Sequence, residues 1–225
     1  MASFNRTFQA FRDYFTTGQV GDVALLKLRL FSITATPELN RQLQPFVGQF
    51  PQINLEALSR LPEGTLGHEY AQHMHKNGIQ PLEISPDLHA EASQDPFALR
   101  YTVTHDIFHV LLGFDTSYAG EIGVLGFMIG QNYSRMLNAF RPFVKHVYPV
   151  LFFRQRQQMR ENFRRGEELG KQAKMLLAYD FENSWAKPVD EIRVEQGLIL
   201  NGLKQTNQQH TAPMLNNQHW FDALP

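Results

Sequence analysis

Apolar side chains recur every three or four residues along almost the whole of this chain, a period that gathers them on one face of a helix and suits no strand. Phe4, Phe8, Phe11 and Phe15 open the pattern. Asp22 reads as the cap of a second helix carrying Val23, Leu26 and Leu30, and Thr36 with Pro37 as the cap and first-turn proline of a third. Three prolines between residues 45 and 62 predict an irregular connection with one short helix from Leu55 to Leu61. Thr65 to Lys76 is the next candidate helix, and Asp95 with Pro96 opens a long one that Gly113 terminates. The stretch from about Ser117 to Phe140 is the most apolar, one or two helices cross residues 143 to 180, and a last one lies near Pro188 to Gln196. Alternating patterns are scarce and paired hairpin signals are absent. The expected fold is therefore all-α: a single-domain helical bundle around a long central helix pair over residues 1–200, then a polar Asn- and Gln-rich tail over residues 201–225.

Composition narrows the function classes. At 225 residues and 43% apolar, the chain is long enough for one domain with a substantial core. A net charge of −1 argues against nucleic-acid binding, which needs a basic face. The lack of cysteine removes disulfides, thiolate metal sites and thiol nucleophiles. The opening MASFNRTFQAFRDYF resembles neither a signal peptide nor a transit peptide, and no apolar run approaches the ~18 residues that span a bilayer. A cytoplasmic protein, soluble or peripheral on the cytoplasmic membrane, is the expectation.

His105, Asp106, His109 and Glu121 lie in the run THDIFHVLLGFDTSYAGE. Four residues apart on a helix, the two imidazoles stack on one face and can grip one cation, and Asp106 is close enough to bind the same ion or orient a ligand. A turn after Gly113 can fold Glu121 back over them. Paired histidines also occur by chance in helices. Glu121 changes the balance, because it opens the near-uncharged stretch AGEIGVLGFMIG, where a carboxylate is costly to bury without a partner. The expected site holds a divalent metal ion through these four residues, which are also the candidate catalytic set. Zinc suits such ligands best, and Fe(II), Mn(II) and magnesium are compatible.

HDxxH, eleven further residues and Glu, with Gly113 and Gly120 between, resembles the signature of the ubiquinone (coenzyme Q) biosynthesis protein 4 family. LPEGTLGHEY from Leu61 to Tyr70 and YDFENSWAKPVDEIRVEQGL from Tyr179 to Leu198 extend the resemblance over about residues 60 to 198. It implies metal ligands at His105, Asp106, His109 and Glu121. It also implies a role in modifying a prenylated hydroxybenzoate, whose C1 loses its carboxylate and gains a hydroxyl, and in organising other quinone-biosynthesis enzymes. For a chain without import information it implies a bacterial source or a mature form already processed. An alternative within the same resemblance is a non-catalytic lipid-binding scaffold that presents quinone intermediates to those enzymes.

Two further patterns bear on lipid binding. Gly120, Gly123, Gly126 and Gly130 strip side chains from one stripe of an otherwise bulky helix. Close helix packing is the first expectation for such a stripe. The other is a groove for a slender isoprenoid tail, lined by Leu125, Phe127, Met128 and Ile129 near the metal end. Arg154, Arg156, Arg160, Arg164 and Arg165 gather within twelve residues. Such runs are mostly solvated faces, and Arg160 and Arg164 are the candidates for an anionic lipid or phosphate contact. His68, His73 and His75 read as exposed or hydrogen-bonded residues outside the site, and Asp180, Glu182, Trp185 and Arg193 as an Arg–carboxylate and aromatic clamp on the last helix. The Phe-rich amino-terminal segment suits a homodimer contact as well as a core.

Overall fold

In the computed structural model, which describes residues 20–152 and 154–198, the chain forms helices α1 (Val20–Leu30), α2 (Pro37–Gln42), α3 (Leu55–Ser59), α4 (Leu66–Asn77), α5 (His89–Ser93), α6 (Pro96–Leu112), α7 (Tyr118–Gly130), α8 (Arg135–His146), α9 (Tyr148–Leu151), α10 (Arg156–Gln172) and α11 (Val189–Gln196). No strand occurs among the described residues, so the all-α expectation holds. The Phe4–Phe15 pattern and the polar tail lie outside them.

α6 is the axis of the bundle. Asp95 Oδ1 accepts from Ala98 N at 3.0 Å and Pro96 fills the first turn, the start that the sequence predicts. Apart from Val110, every residue from Phe97 to Leu112 is buried, as befits a helix that is apolar all round. Its carboxyl end needs partners for four carbonyls, and each has one. Gly113, at φ 67°, turns its N–H to His109 O at 3.0 Å. Arg193 donates to Val110 O and Leu111 O, both at 3.0 Å, and Arg165 to Leu112 O at 2.8 Å. Two arginines from α10 and α11 thus hold the end of the helix that carries both histidines.

α7 turns back beside α6 after a short loop, with Ser117 Oγ accepting from Gly120 N at 3.2 Å. Its glycine stripe is closed by protein along its length: Gly120 and Gly123 face Asp115 and Phe114 of the preceding loop, and Gly126 and Gly130 form a seam against α10. A Cβ added at Gly126 would lie 2.5 Å from Phe163 O, and one at Gly166 would lie 2.0 Å from Gly123 O. The two backbones therefore touch, and the stripe leaves no groove: close packing, the first of the two expectations, is what the glycines serve.

Two boundaries differ from the sequence reading. The expected single helix from Ser117 to Phe140 breaks at Gln131–Ser134, where Gln131 caps α7 and Asn132 adopts φ 56°. The Gln131 amide donates to Ala173 O and Lys174 O at 3.1 and 2.7 Å and accepts from Leu176 N at 2.9 Å, fastening the break to the chain after α10. Asp22 lies inside the first turn of α1 and is no cap; its Oδ1 accepts from Ser85 N at 2.8 Å. That bond turns Val23, Leu25 and Leu28 inward, and leaves Leu26 half-buried and Leu30 46% exposed.

The start of α4 is tied to the segment before α11: Gly67 N donates to Trp185 O at 2.8 Å, Leu66 N to Lys187 O and Val189 N to Gly64 O, both at 2.9 Å. Trp185 lies against Tyr70 at 5.5 Å between ring centroids. The two outer sequence motifs are thus one structural unit.

Candidate metal centre

His105 and His109 lie one turn apart on α6, and Glu121, in the first turn of α7, reaches back to both. His105 Nε2 is 3.4 Å from Glu121 Oε2 and His109 Nε2 is 3.3 Å from Glu121 Oε1. One ligand atom from each of the three lies within 4.8 Å of the other two. Asp106 is placed differently: its Oδ1 is 3.6 Å from His105 Nδ1, on the far side of that ring from Glu121. It lies beside the His105 ring and is not one of the three converging groups. On His109 the Nδ1 is 3.2 Å from the carbonyl of Phe114. A carbonyl can only accept, so Nδ1 carries a proton and Nε2 is the nitrogen that faces Glu121.

That arrangement is incomplete by itself. His109 Nε2 and Glu121 Oε2 are sealed from solvent and meet no hydrogen-bond geometry. A lone pair held 3.3 Å from a carboxylate oxygen repels it unless a proton or a cation lies between. The charge count points the same way. Asp106 and Glu121 bring two negative charges into the core, and a divalent cation held by two neutral imidazoles balances them. The donor set of two nitrogens and a carboxylate fits such an ion and leaves coordination positions open.

Without an ion, protons do the balancing. Burial disfavours charge on His105, but the Asp106 and Glu121 carboxylates outweigh it and raise its pKa to about 10. Burial also disfavours the Glu121 carboxylate, yet His109 and His105 outweigh it and lower its pKa to about 2. Asp106 is lowered as well, against its burial, by His105 and His109.

His73, which the sequence reading set aside, sits beside this centre. Its ring stacks on that of His109, with centroids 5.6 Å apart and planes 18° apart, and its buried Nε2 has no hydrogen-bond partner. Burial, then the charge on His109, lower its pKa to about 4. The signal was present but weak, because nothing in the sequence sets the rotation of α4 against α6. The other helix histidines are as expected: His68 Nδ1 meets Leu61 O at 3.0 Å, and His75 is exposed.

The residues proposed for lipid contact are dispersed. Phe127, Met128 and Ile129 are buried in the core, whereas Leu125, one turn beyond Glu121 on α7, lines an apolar cavity of about 130 Å³ with Phe31, Ile33, Phe140, Phe143 and Tyr148. Arg160 is exposed, and Arg164 is held by Glu161 and Glu168 at 2.5 and 2.8 Å, so its charge is spent within α10. The expected clamp forms with different pairings. Arg193 meets Asp190 at 2.9 Å, whereas Glu182 pairs with the buried Arg100, which also donates to Tyr179 O at 2.6 Å.

An all-helical domain with two histidines and a glutamate converging in its core belongs among the helical proteins that can carry a metal between facing helices. Comparison makes the assignment specific. Residues 42–201 match the family model described as coenzyme Q (ubiquinone) biosynthesis protein Coq4, and the chain belongs to that family. It is similar to the mitochondrial ubiquinone biosynthesis protein COQ4 homologue of Xenopus laevis, 30% identical over 195 residues that cover 80% of this chain and 62% of that protein. The Aedes aegypti homologue is 28% identical over 154 residues, 64% of this chain and 52% of its own length. The chain thus spans between about half and three fifths of these relatives. A crystal structure of a Nostoc punctiforme chain assigned to ubiquinone biosynthesis superposes with a TM-score of 0.58 at 27% identity, covering 87% of this chain and 88% of that one. The Coq4 family is involved in ubiquinone biosynthesis.

Proposed function

We propose that this chain is a divalent-metal protein of ubiquinone or related prenylquinone biosynthesis that acts on a prenylated hydroxybenzoate-type ring. The observation that carries this reading is the convergence of His105 Nε2, His109 Nε2 and Glu121 in the buried core, at separations that a shared cation makes favourable. A bound ion there supplies Lewis acidity toward a phenol or carboxylate oxygen of the ring. The protein's own share is positioning. Asp106 holds His105 by Nδ1, the Phe114 carbonyl sets the tautomer of His109, and the arginine-capped end of α6 keeps both rings fixed.

The reaction implied by the family is loss of the C1 carboxylate as carbon dioxide with gain of a hydroxyl, an oxidation of the ring that needs an oxidant of the dioxygen class. Zinc, Fe(II), Mn(II) and magnesium all suit the ligand set, and oxidative chemistry favours the redox-active ones. The isoprenoid tail is assigned to the apolar cavity that Leu125 lines. Its size is near the ~150 Å³ that accommodates a benzene ring, so it holds a segment of the tail near the ring and not a whole long chain.

The test is elemental analysis of protein purified without added metal or an affinity tag, followed by turnover of a short-tailed prenyl-hydroxybenzoate by wild type and His109→Ala. One equivalent of metal in the wild type, with turnover abolished in the variant, supports the reading. A metal-free wild type that turns over removes it. If stripping the ion removes thermal stability but the loaded protein never turns over, the ion staples α6 to α7 and the chain is a scaffold that presents intermediates to partner enzymes.

A further inference from the structure

Helices α8 and α9 carry an apolar rim that the other described residues leave exposed. On α8, Leu137 and Val144 are buried, and Met136, Phe140, Phe143 and then Val147 recur three and four residues apart as an adjoining stripe, each more than a third exposed. Val150 on α9 is 68% exposed. Isolated exposed apolar residues need no account, but a contiguous rim does. Met136, Phe140 and Phe143 also line the apolar cavity, which therefore opens on this rim.

Charge identifies what the rim faces. Between Glu121 and Glu161 the chain contains no Asp or Glu, but it contains Arg135, Arg141, Lys145, Arg154, Arg156 and Arg160. Arg141 is tied to Glu167. The other five are exposed and make no ion pair among the described residues. In a chain of net charge −1, this is a cationic excess in the segment that carries the apolar rim and begins the helix after it. A two-fold dimer through this face would set cations against the same cations, because such an interface pairs a patch with itself. A bilayer with anionic head groups offers the complement: negative charge at the level of the basic side chains, and hydrocarbon below it for phenylalanine and valine.

We propose that the α8–α9 rim is the surface on which this protein docks to an anionic lipid bilayer, with the cavity mouth turned to the hydrocarbon. An isoprenoid chain then enters from the membrane without crossing water. The entry route rests on the function proposed above, whereas the docking surface does not.

The experiment is co-sedimentation of the full chain with phosphatidylcholine vesicles, with and without phosphatidylglycerol, for wild type, Lys145→Ala and the double variant Val147→Asp/Val150→Asp. None of these three residues lies in the metal centre or the cavity lining, so metal content and Tm stay as in the wild type. Wild type is expected to prefer the anionic vesicles and to be released by salt. Lys145→Ala should weaken partitioning about fivefold, the effect of one basic residue near such a surface, and the double variant at least about tenfold. Equal sedimentation of wild type with both vesicle types, undiminished binding of the double variant, or a dimer that the double variant splits overturns the proposal. Wild type that carries a full complement of metal but shows no preference for the anionic vesicles separates this failure from failure of the metal-centre reading.

Discussion

The two sides of α7 teach opposite lessons about small and charged residues in a core. Toward α10, glycines let two backbones touch, and every space that their missing side chains leave is occupied by protein. Toward α6, Glu121 meets two imidazoles at distances that leave His109 Nε2 and its own Oε2 without a hydrogen bond. Both stretches were candidates for a ligand on sequence grounds. What separates them is whether the neighbours complete the packing or the polar bonding: the seam is complete, and the His–Glu cluster is not.

The sharpest way to break this contrast is to remove a ligand. His109→Ala is expected to lose metal affinity by several orders of magnitude and turnover altogether, with the helical circular-dichroism signal retained; isothermal titration with Zn(II) or Mn(II) reads the first effect. Retained metal affinity would falsify the three-residue centre.

The pH dependence of stability with and without ion comes next. In metal-free protein the raised pKa of His105 contributes stability that is complete below 6.5 and lost as the pH climbs toward about 10. The lowered pKa of Glu121 contributes stability that is complete above 4.5 and lost as the pH falls toward about 2. The lowered pKa of His73 contributes stability that is complete above 6.5 and lost as the pH falls toward about 4, so metal-free protein should be most stable near pH 6.5 and lose Tm on both the acid and the alkaline side. Metal-loaded protein should gain Tm over the same alkaline range, because the ion replaces the protons. Parallel curves for the two forms would break the contrast.

On the other side of α7, Gly166→Val forces a branched side chain where even a Cβ would lie 2.0 Å from Gly123 O. A loss of about 3 kcal/mol in denaturant unfolding is expected, with metal stoichiometry unchanged in the folded fraction. The smallest effect concerns the support of the site. Arg193→Gln leaves the carbonyls of Val110 and Leu111 short of donors and should destabilise by about 1–3 kcal/mol. The accompanying rise in metal Kd should be modest, since the rings themselves remain. A silent Arg193→Gln would mean that Arg165 and Gly113 hold the end of α6 without it.

Much of the fold was legible because its signals are local. Asp95–Pro96 and Gly113 bound α6, and Gly78 and Gly197, with φ of 63° and 69°, end α4 and α11 where helical pattern gives out. The break at Gln131 was not legible. Apolar residues continue across it, and what ends the helix is a set of bonds from Gln131 to residues more than forty positions away. The arginine pairings were hidden for the same reason. Glu182 and Arg193 stand eleven residues apart within one expected clamp, yet each bonds to α6, whose approach no sequence window contains. Of the centre, spacing on one helix placed His105 beside His109, but His73 required knowing how α4 is rotated.

The sequence by itself determined that this chain is helical, where its long helices start, and that two histidines share one face, because capping residues and the 3.6-residue period act over a single turn. Tertiary structure decided that Glu121 folds back onto those histidines while Asp106 lies beside one of them, that the glycines close a seam and not a groove, and that the apolar cavity opens beside Phe140 and Phe143. Those outcomes depend on how helices pack across one another, and packing is chosen by the whole set of side chains at once, not by any stretch read alone.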